Sequence, residues 1–142
     1  MEDLKDVKIG GTAEYFYGED FEAAEEAGLI RTVRARSDEV NLKILLKERV
    51  QVFPGEIMVT YAQIRDTFPE EEANLFTHHE KPIHVQPMHL LLSKKIPGNE
   101  QMRDLFNEGL KRLKESGKYD QIMADALVGK YAKPKVTAVM NR

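Results

Sequence analysis

Any chemistry this chain performs must come from oxygen and imidazole groups, because none of its 142 residues is a cysteine. Thiol nucleophiles, thiolate metal sites, iron–sulfur clusters and disulfide frameworks are excluded together. The segment Gly10-Gly11-Thr12-Ala13-Glu14 reads as a turn from a strand into a helix. Unpaired backbone N–H groups and the positive end of a helix dipole at such a turn suit a carboxylate or phosphate. Glycine lets the backbone come close, and the Thr12 hydroxyl can add a donor. The same glycines also make a tight turn that holds no ligand. GxGxxG spacing is absent and no GK[ST] ending follows, so neither a dinucleotide fingerprint nor a P-loop is present.

Glu56 follows a third strand-like run, at its carboxyl end, where ligands gather in open α/β sheets. A carboxylate there can hold an ammonium group, or it can simply be the acidic start of the next helix. His78, His79, His84 and His89 lie within twelve positions and invite a metal hypothesis. Their spacing argues against it. On one extended strand His84 and His89 face opposite sides, and the adjacent pair His78-His79 also diverges. Glu70-Glu71-Glu72 after Pro69 reads as a solvated helix start. There is no HEXXH and no Gly-x-Ser-x-Gly elbow, and no base, orienter and nucleophile come together in the sequence, so the expectation is a non-catalytic protein without a cofactor.

Composition narrows the partners. Twenty-one Lys and Arg against 24 Asp and Glu leave a formal charge of −3, which argues against nucleic-acid binding by bulk charge. With 42% apolar and 32% charged residues the chain has a globular composition. No run reaches the ~18 apolar residues of a membrane span. The beginning MEDLKDVKIG lacks the basic and apolar regions of a secretion signal, which predicts a cytoplasmic protein if Met1 is the natural start.

The elements that must position these residues are read from periodicity. Val7–Ile9 predicts a strand ended by Gly10-Gly11, followed by a helix carrying Phe21, Ala24 and Gly28. Leu29–Val33 predicts a second strand, and Ser37-Asp38-Glu39 an N-cap with an acidic first turn for a helix over Val40–Lys47. Arg49–Phe53 predicts a third strand, punctuated by Pro54-Gly55 before a helix from about Ile57 to Thr67. Leu75–Thr77 and Met88–Leu92 are further strand candidates. Alternation of strands and helices predicts an α/β layer with a largely parallel sheet over residues 1–92. A helical pair over 93–130 follows, with Asn99 as N-cap, Gly117 between the helices and Gly129 after them. Residues 131–142 read as a tail. Met102, Leu105, Phe106, Leu110 and Leu113, then Tyr119, Ile122, Met123, Ala126 and Leu127, form apolar stripes that must cover something.

The chain resembles the second half of the family 3 extracellular solute-binding proteins, the periplasmic receptors of bacterial amino-acid ABC importers. The resemblance is carried by Leu4–Ile9, Gly11-Thr12, Tyr15-Phe16-Tyr17-Gly18, Ser37-Asp38-Glu39 with Asn41-Leu42, Arg49–Pro54 with Glu56, Phe68-Pro69, Lys81-Pro82 and His89–Lys94. It runs in order over about residues 4 to 130. It implies a periplasmic-binding-protein type II-like lobe, one of two that close over a polar amino acid. In that family the helix N-terminus after the first strand of this lobe meets the α-carboxylate, and an acidic residue after its third strand meets the α-ammonium. The matching positions are Gly11 and Thr12 for the first and Glu56 for the second, with Tyr15 lining the ligand's side chain.

The chain departs from the family pattern in length, in lacking the first lobe and in carrying Gln51 where an aspartate is common. The resemblance further implies a periplasmic location and a membrane permease as partner. A single lobe should bind its ligand weakly. Its two C-terminal helices, which in intact members return to the first lobe, are expected to pair with a second copy, making a homodimer, with residues 93–98 as hinge. The alternative from another class is a structural or regulatory interaction module whose cleft is idle.

Overall fold

A computed structural model describes residues 4–133 of the chain. These residues are mixed α/β, with six helices and a small parallel sheet. The elements are β1 (Lys8–Thr12), α1 (Glu19–Glu26), β2 (Arg31–Ala35), α2 (Asp38–Leu46), α3 (Ile57–Thr67), α4 (Glu70–Ala73), α5 (Asn99–Glu115) and α6 (Lys118–Leu127). Contacts divide the chain into two units, one reaching to Val85 and one spanning Gln86–Lys133. The boundary thus precedes the break after residue 92 that the sequence suggested. Of the tail over 131–142, residues 134–142 lie outside the described residues.

In the first unit β1 pairs in parallel with β2, from Lys8 opposite Arg31 to Thr12 opposite Ala35. On its other side β1 meets the third strand-like run through a single parallel bridge, Ile9 to Val52. The Gly10 N–H donates to the Val52 carbonyl and the Gln51 N–H to the Lys8 carbonyl, each at 2.8 Å. The expected third strand is therefore reduced to a bridge before Pro54. Being central, β1 is buried on both faces from Ile9 to Thr12.

The period of two along β1 divides its neighbours. Ile9 packs with Phe21, Ala24 and Ile30, helped by Leu4, Val7, Tyr17 and Val52. Gly10 faces Asn41 and Val50 instead. A second cluster joins Leu42, Ile64 and Phe68, with Phe53, Tyr61 and Phe76 against it.

Two sequence expectations are corrected here. Gly10 and Gly11 do not end the strand; they lie within it. Their role is close packing, since a Cβ on Gly10 would stand 2.9 Å from Asn41 Oδ1 and one on Gly11 3.1 Å from Arg34 Cδ. Leu75–Thr77 and Met88–Leu92 are not strands. Leu75 and Phe76 fold back as the turn after α4, their N–H groups donating to Glu72 and Ala73, so that Phe76 rests on Phe68 at 5.2 Å. Met88–Leu92 has no ladder partner among the described residues, and an apolar run becomes a strand only where an edge receives it.

Most helices start and stop where local chemistry places them. The Ser37 side chain caps α2 by accepting the Val40 N–H, and α3 spans the predicted Ile57–Thr67. Gly28 closes the end of α1 at φ +68°. Asn99, the expected cap of α5, is its first residue, and Gly98 takes the cap position at φ +86°. In the second unit no residue of α5 or α6 is buried, and Met102, Leu105, Phe106, Ile122 and Met123 are all exposed.

Glu48 follows the cap of α2 in the left-handed region at φ +57°, where an L side chain costs free energy that glycine does not. Glu48→Gly is expected to stabilise the first unit by about 0.5–1 kcal/mol. An increase in the urea midpoint without a change in slope would be the measured result.

Candidate functional site

In a parallel sheet the carboxyl ends of all strands share one edge, and the loops leaving that edge are where ligands meet open α/β folds. Here those loops are 13–18 after β1, Arg36-Ser37 after β2 and Pro54–Glu56 after the bridged segment. Thr12 is the last residue of β1, and Tyr15 and Glu56 follow β1 and the bridged segment on the same edge of the first unit. Gly11, the fourth predicted site residue, is the penultimate residue of β1.

Thr12 is 3% exposed, and each of its polar atoms has a partner. Its hydroxyl donates to the Asp38 carboxylate and accepts from Asn41 Nδ2 at 3.0 Å. Its N–H donates to the Tyr17 hydroxyl at 2.7 Å. Its carbonyl accepts from Arg34 and from the Tyr15 N–H. The helix expected directly after Gly11-Thr12 begins at Glu19, so the N-terminal N–H groups of α1 are not the ones at this position. Both donors of Thr12 are thus committed within the unit, the hydroxyl to Asp38 and the amide to the Tyr17 hydroxyl.

Asn41 makes this end of the sheet rigid. Fully buried on the first turns of α2, it sends Nδ2 to the Gly11 carbonyl at 2.9 Å, to Thr12 Oγ1 and to the Ser37 carbonyl at 3.3 Å. Its Oδ1 has no hydrogen-bond partner among the described residues and is pressed against Gly10. Three acceptors around one NH₂ fix the orientation of the amide.

The loop 13–18 is held by Arg34. Its guanidinium donates to the Thr12 and Tyr15 carbonyls, pairs with Glu22 and Glu25, and lies 5.3 Å from the centre of the Tyr17 ring. Tyr17 packs on Phe21 at 5.2 Å, while Tyr15 remains 54% exposed beside it, 6.4 Å between ring centres. Tyr15 is thus presented to solvent on a loop whose backbone is fastened from below.

Glu56 is exposed and is the N-cap of α3, its Oε2 accepting the Val59 N–H at 2.7 Å. The sequence's alternative reading, an acidic start of the next helix, thus takes the form of an N-cap, which orients the carboxylate at the same edge. Gly55 allows this tight approach, for a Cβ there would fall 2.3 Å from Thr60 Oγ1.

The histidines are dispersed. His78 Nδ1 shares a 2.8 Å hydrogen bond with the Tyr61 hydroxyl, His79 Nδ1 accepts the Lys81 N–H, and the His84 ring covers Gly18. No three His, Asp or Glu side chains among the described residues are grouped to hold a metal ion. No described helix is long and apolar enough to cross a membrane. A broad, open depression of the first unit lies on the opposite edge, lined by Asp6, Lys8, Glu25, Arg31, Thr32 and Gln51.

Tyr17, Arg34, Asp38 and Asn41 were not singled out as site residues by sequence. The available signal was Asn41, a polar residue adjoining Leu42 where a helix should be apolar. Comparison with protein-family models finds no match, and comparisons with curated proteins and with solved structures find none either.

Hydrogen bonding from Arg34 lowers the pKa of Glu25 below its ordinary value of 4.5, outweighing the opposing effect of partial burial. A depressed carboxylate stabilises the fold above the unfolded-state pKa, and this contribution is lost as pH falls through the folded value. Wild type should therefore lose stability as pH is lowered below about 4.5, and Glu25→Gln should show a shallower acid slope in urea midpoints over the same range. Identical slopes would count against the Arg34 clamp.

Proposed function

We propose that the first unit is a binding lobe of the periplasmic-binding-protein type II kind, from the amino-acid receptor family that the sequence resembles. It binds a polar, zwitterionic amino acid and does no covalent chemistry. The Gly11-Thr12 end of β1 receives the α-carboxylate through the Thr12 amide, Glu56 receives the α-ammonium, and Tyr15 lines the side chain. The observation that supports this reading is the parallel order β2–β1–Val52, which puts the Thr12 end of β1 and the Glu56 carboxylate on one edge although they are 44 positions apart in sequence. Charge-assisted hydrogen bonds of this type contribute about 1.5–3 kcal/mol each when sheltered from water. With only one wall of a cleft, the affinity should be millimolar or weaker. On this reading the chain works in the periplasm and its partner is the permease of an ABC importer.

Thermal denaturation of the full chain with polar amino acids tests the reading. A ligand at about ten times its Kd stabilises by ~1.4 kcal/mol, a rise in Tm of ~3–6 °C. Glu56→Asn keeps a preferred capping residue while removing the charge, and should abolish the rise without lowering the ligand-free Tm by more than about 1–2 °C. A chain that responds to no amino acid at tens of millimolar, or a Glu56→Asn variant that responds as well as wild type, would reject the proposal.

The expected pairing of the C-terminal helices with a second copy is supported by a separate observation, the exposure of Leu105 at 60% and Met102 at 54% on one helix. Apolar stripes of this size left in water forgo several kcal/mol, so a second copy is the occupant proposed for them. Sedimentation velocity should show a dimer at tens of micromolar and a monomer for Leu105→Glu. A wild-type monomer at high micromolar concentration would reject the pairing.

A further inference from the structure

The donor that the carboxylate seat needs is already taken. The Thr12 N–H points at the phenolic oxygen of Tyr17, 2.7 Å away. The remaining polar atoms of Thr12 are tied to Asp38, Asn41, Arg34 and the Tyr15 N–H, so the amide is the only one whose partner is a side chain of the irregular loop 13–18. That side chain is half-buried and held by packing on Phe21 and by the Arg34 guanidinium near its face, both of which leave the hydroxyl end to the Thr12 amide.

We infer that Tyr17 is a displaceable stopper, its hydroxyl standing in the α-carboxylate seat of the free lobe as a neutral substitute for the ligand. This rests on the function proposed above and adds a competitor to that same site. A phenolic oxygen and a carboxylate oxygen accept the same N–H, but the carboxylate, being charged, makes the stronger bond. Binding is therefore an exchange of acceptors on one donor. The donor stays satisfied throughout, which matters at a residue only 3% exposed, because a buried N–H without a partner is costly. The consequence for specificity is that neutral acceptors, which gain nothing over the phenol, are rejected, while carboxylates are admitted. The ligand class is thus a carboxylate-bearing small molecule.

Tyr17→Phe removes the competing oxygen and keeps the ring on Phe21. The test is a titration of the full-length wild type and variant, followed by amide NMR, with glycine, acetate and methylammonium as probes. The variant should bind glycine and acetate about 2- to 12-fold more tightly, the range that one net hydrogen bond represents. Methylammonium, which addresses only Glu56, should bind both proteins equally. Without any probe, the Thr12 amide should exchange with deuterium faster in the variant. Unchanged Thr12 exchange, or equal glycine affinity in two proteins that both bind it, would overturn the stopper and leave the lobe standing. If neither protein responds to glycine or acetate, and wild type also fails with the polar amino acids, the lobe reading falls and the stopper with it.

Discussion

The structure of the first unit depends on one buried amide. Asn41 enters the space beside β1 that Gly10 leaves open, and its NH₂ joins the last two residues of that strand to the first turn of α2. In a medium of low polarity such bonds are strong, and a missing partner is expensive, so they specify a single arrangement of strand against helix. Glycine at position 10 and a buried Asn at 41 require each other. A side chain at the first would meet Oδ1 of the second, and without the Asn amide the Gly11 carbonyl would lose a buried donor.

From this joint the rest of the edge is built outward. Asp38, one turn before Asn41 in α2, takes the Thr12 hydroxyl proton, while the Thr12 amide goes to the Tyr17 hydroxyl of the following loop. Arg34 in β2 reaches across to the carbonyls of Thr12 and Tyr15 and to two carboxylates of α1, which ties the loop after β1 to elements on both sides of it. The loop therefore carries an exposed Tyr15 on a backbone that Arg34 holds at the Thr12 and Tyr15 carbonyls. Glu56 belongs to the same edge for a simpler reason: it caps α3, and a cap is oriented by the helix it begins.

The second unit shows the opposite balance. Its helices begin after left-handed glycines, Gly98 and Gly117, and α5 carries the i,i+4 charge pairs Lys111 with Glu115 and Arg112 with Glu108, yet no residue of either helix is buried. Local propensity and the bounding glycines suffice to define α5 and α6, while their apolar stripes find too little surface within Gln86–Lys133 to cover them. Helical secondary structure and a formed core are separate achievements, and only the first is local.

What could be read from the sequence was whatever local chemistry dictates. The Ser37 cap, the span Ile57–Thr67, the glycine-bounded pair of helices and the two parallel strands followed from capping, periodicity and crossover geometry, all of which act over a turn or a short run. Met88–Leu92 had the pattern of a strand and did not become one, since a strand requires a neighbour that its own residues cannot supply. Gly10-Gly11 looked like a turn, but distant side chains, those of Asn41 and Arg34, decided that the glycines were needed inside the strand. The placement of Thr12 and Glu56 on one edge was legible from the order of elements. That the Thr12 hydroxyl belongs to Asp38 and its amide to Tyr17 was decided only by the tertiary structure, because a hydrogen bond depends on tenths of an ångström between residues that the sequence alone leaves unpaired.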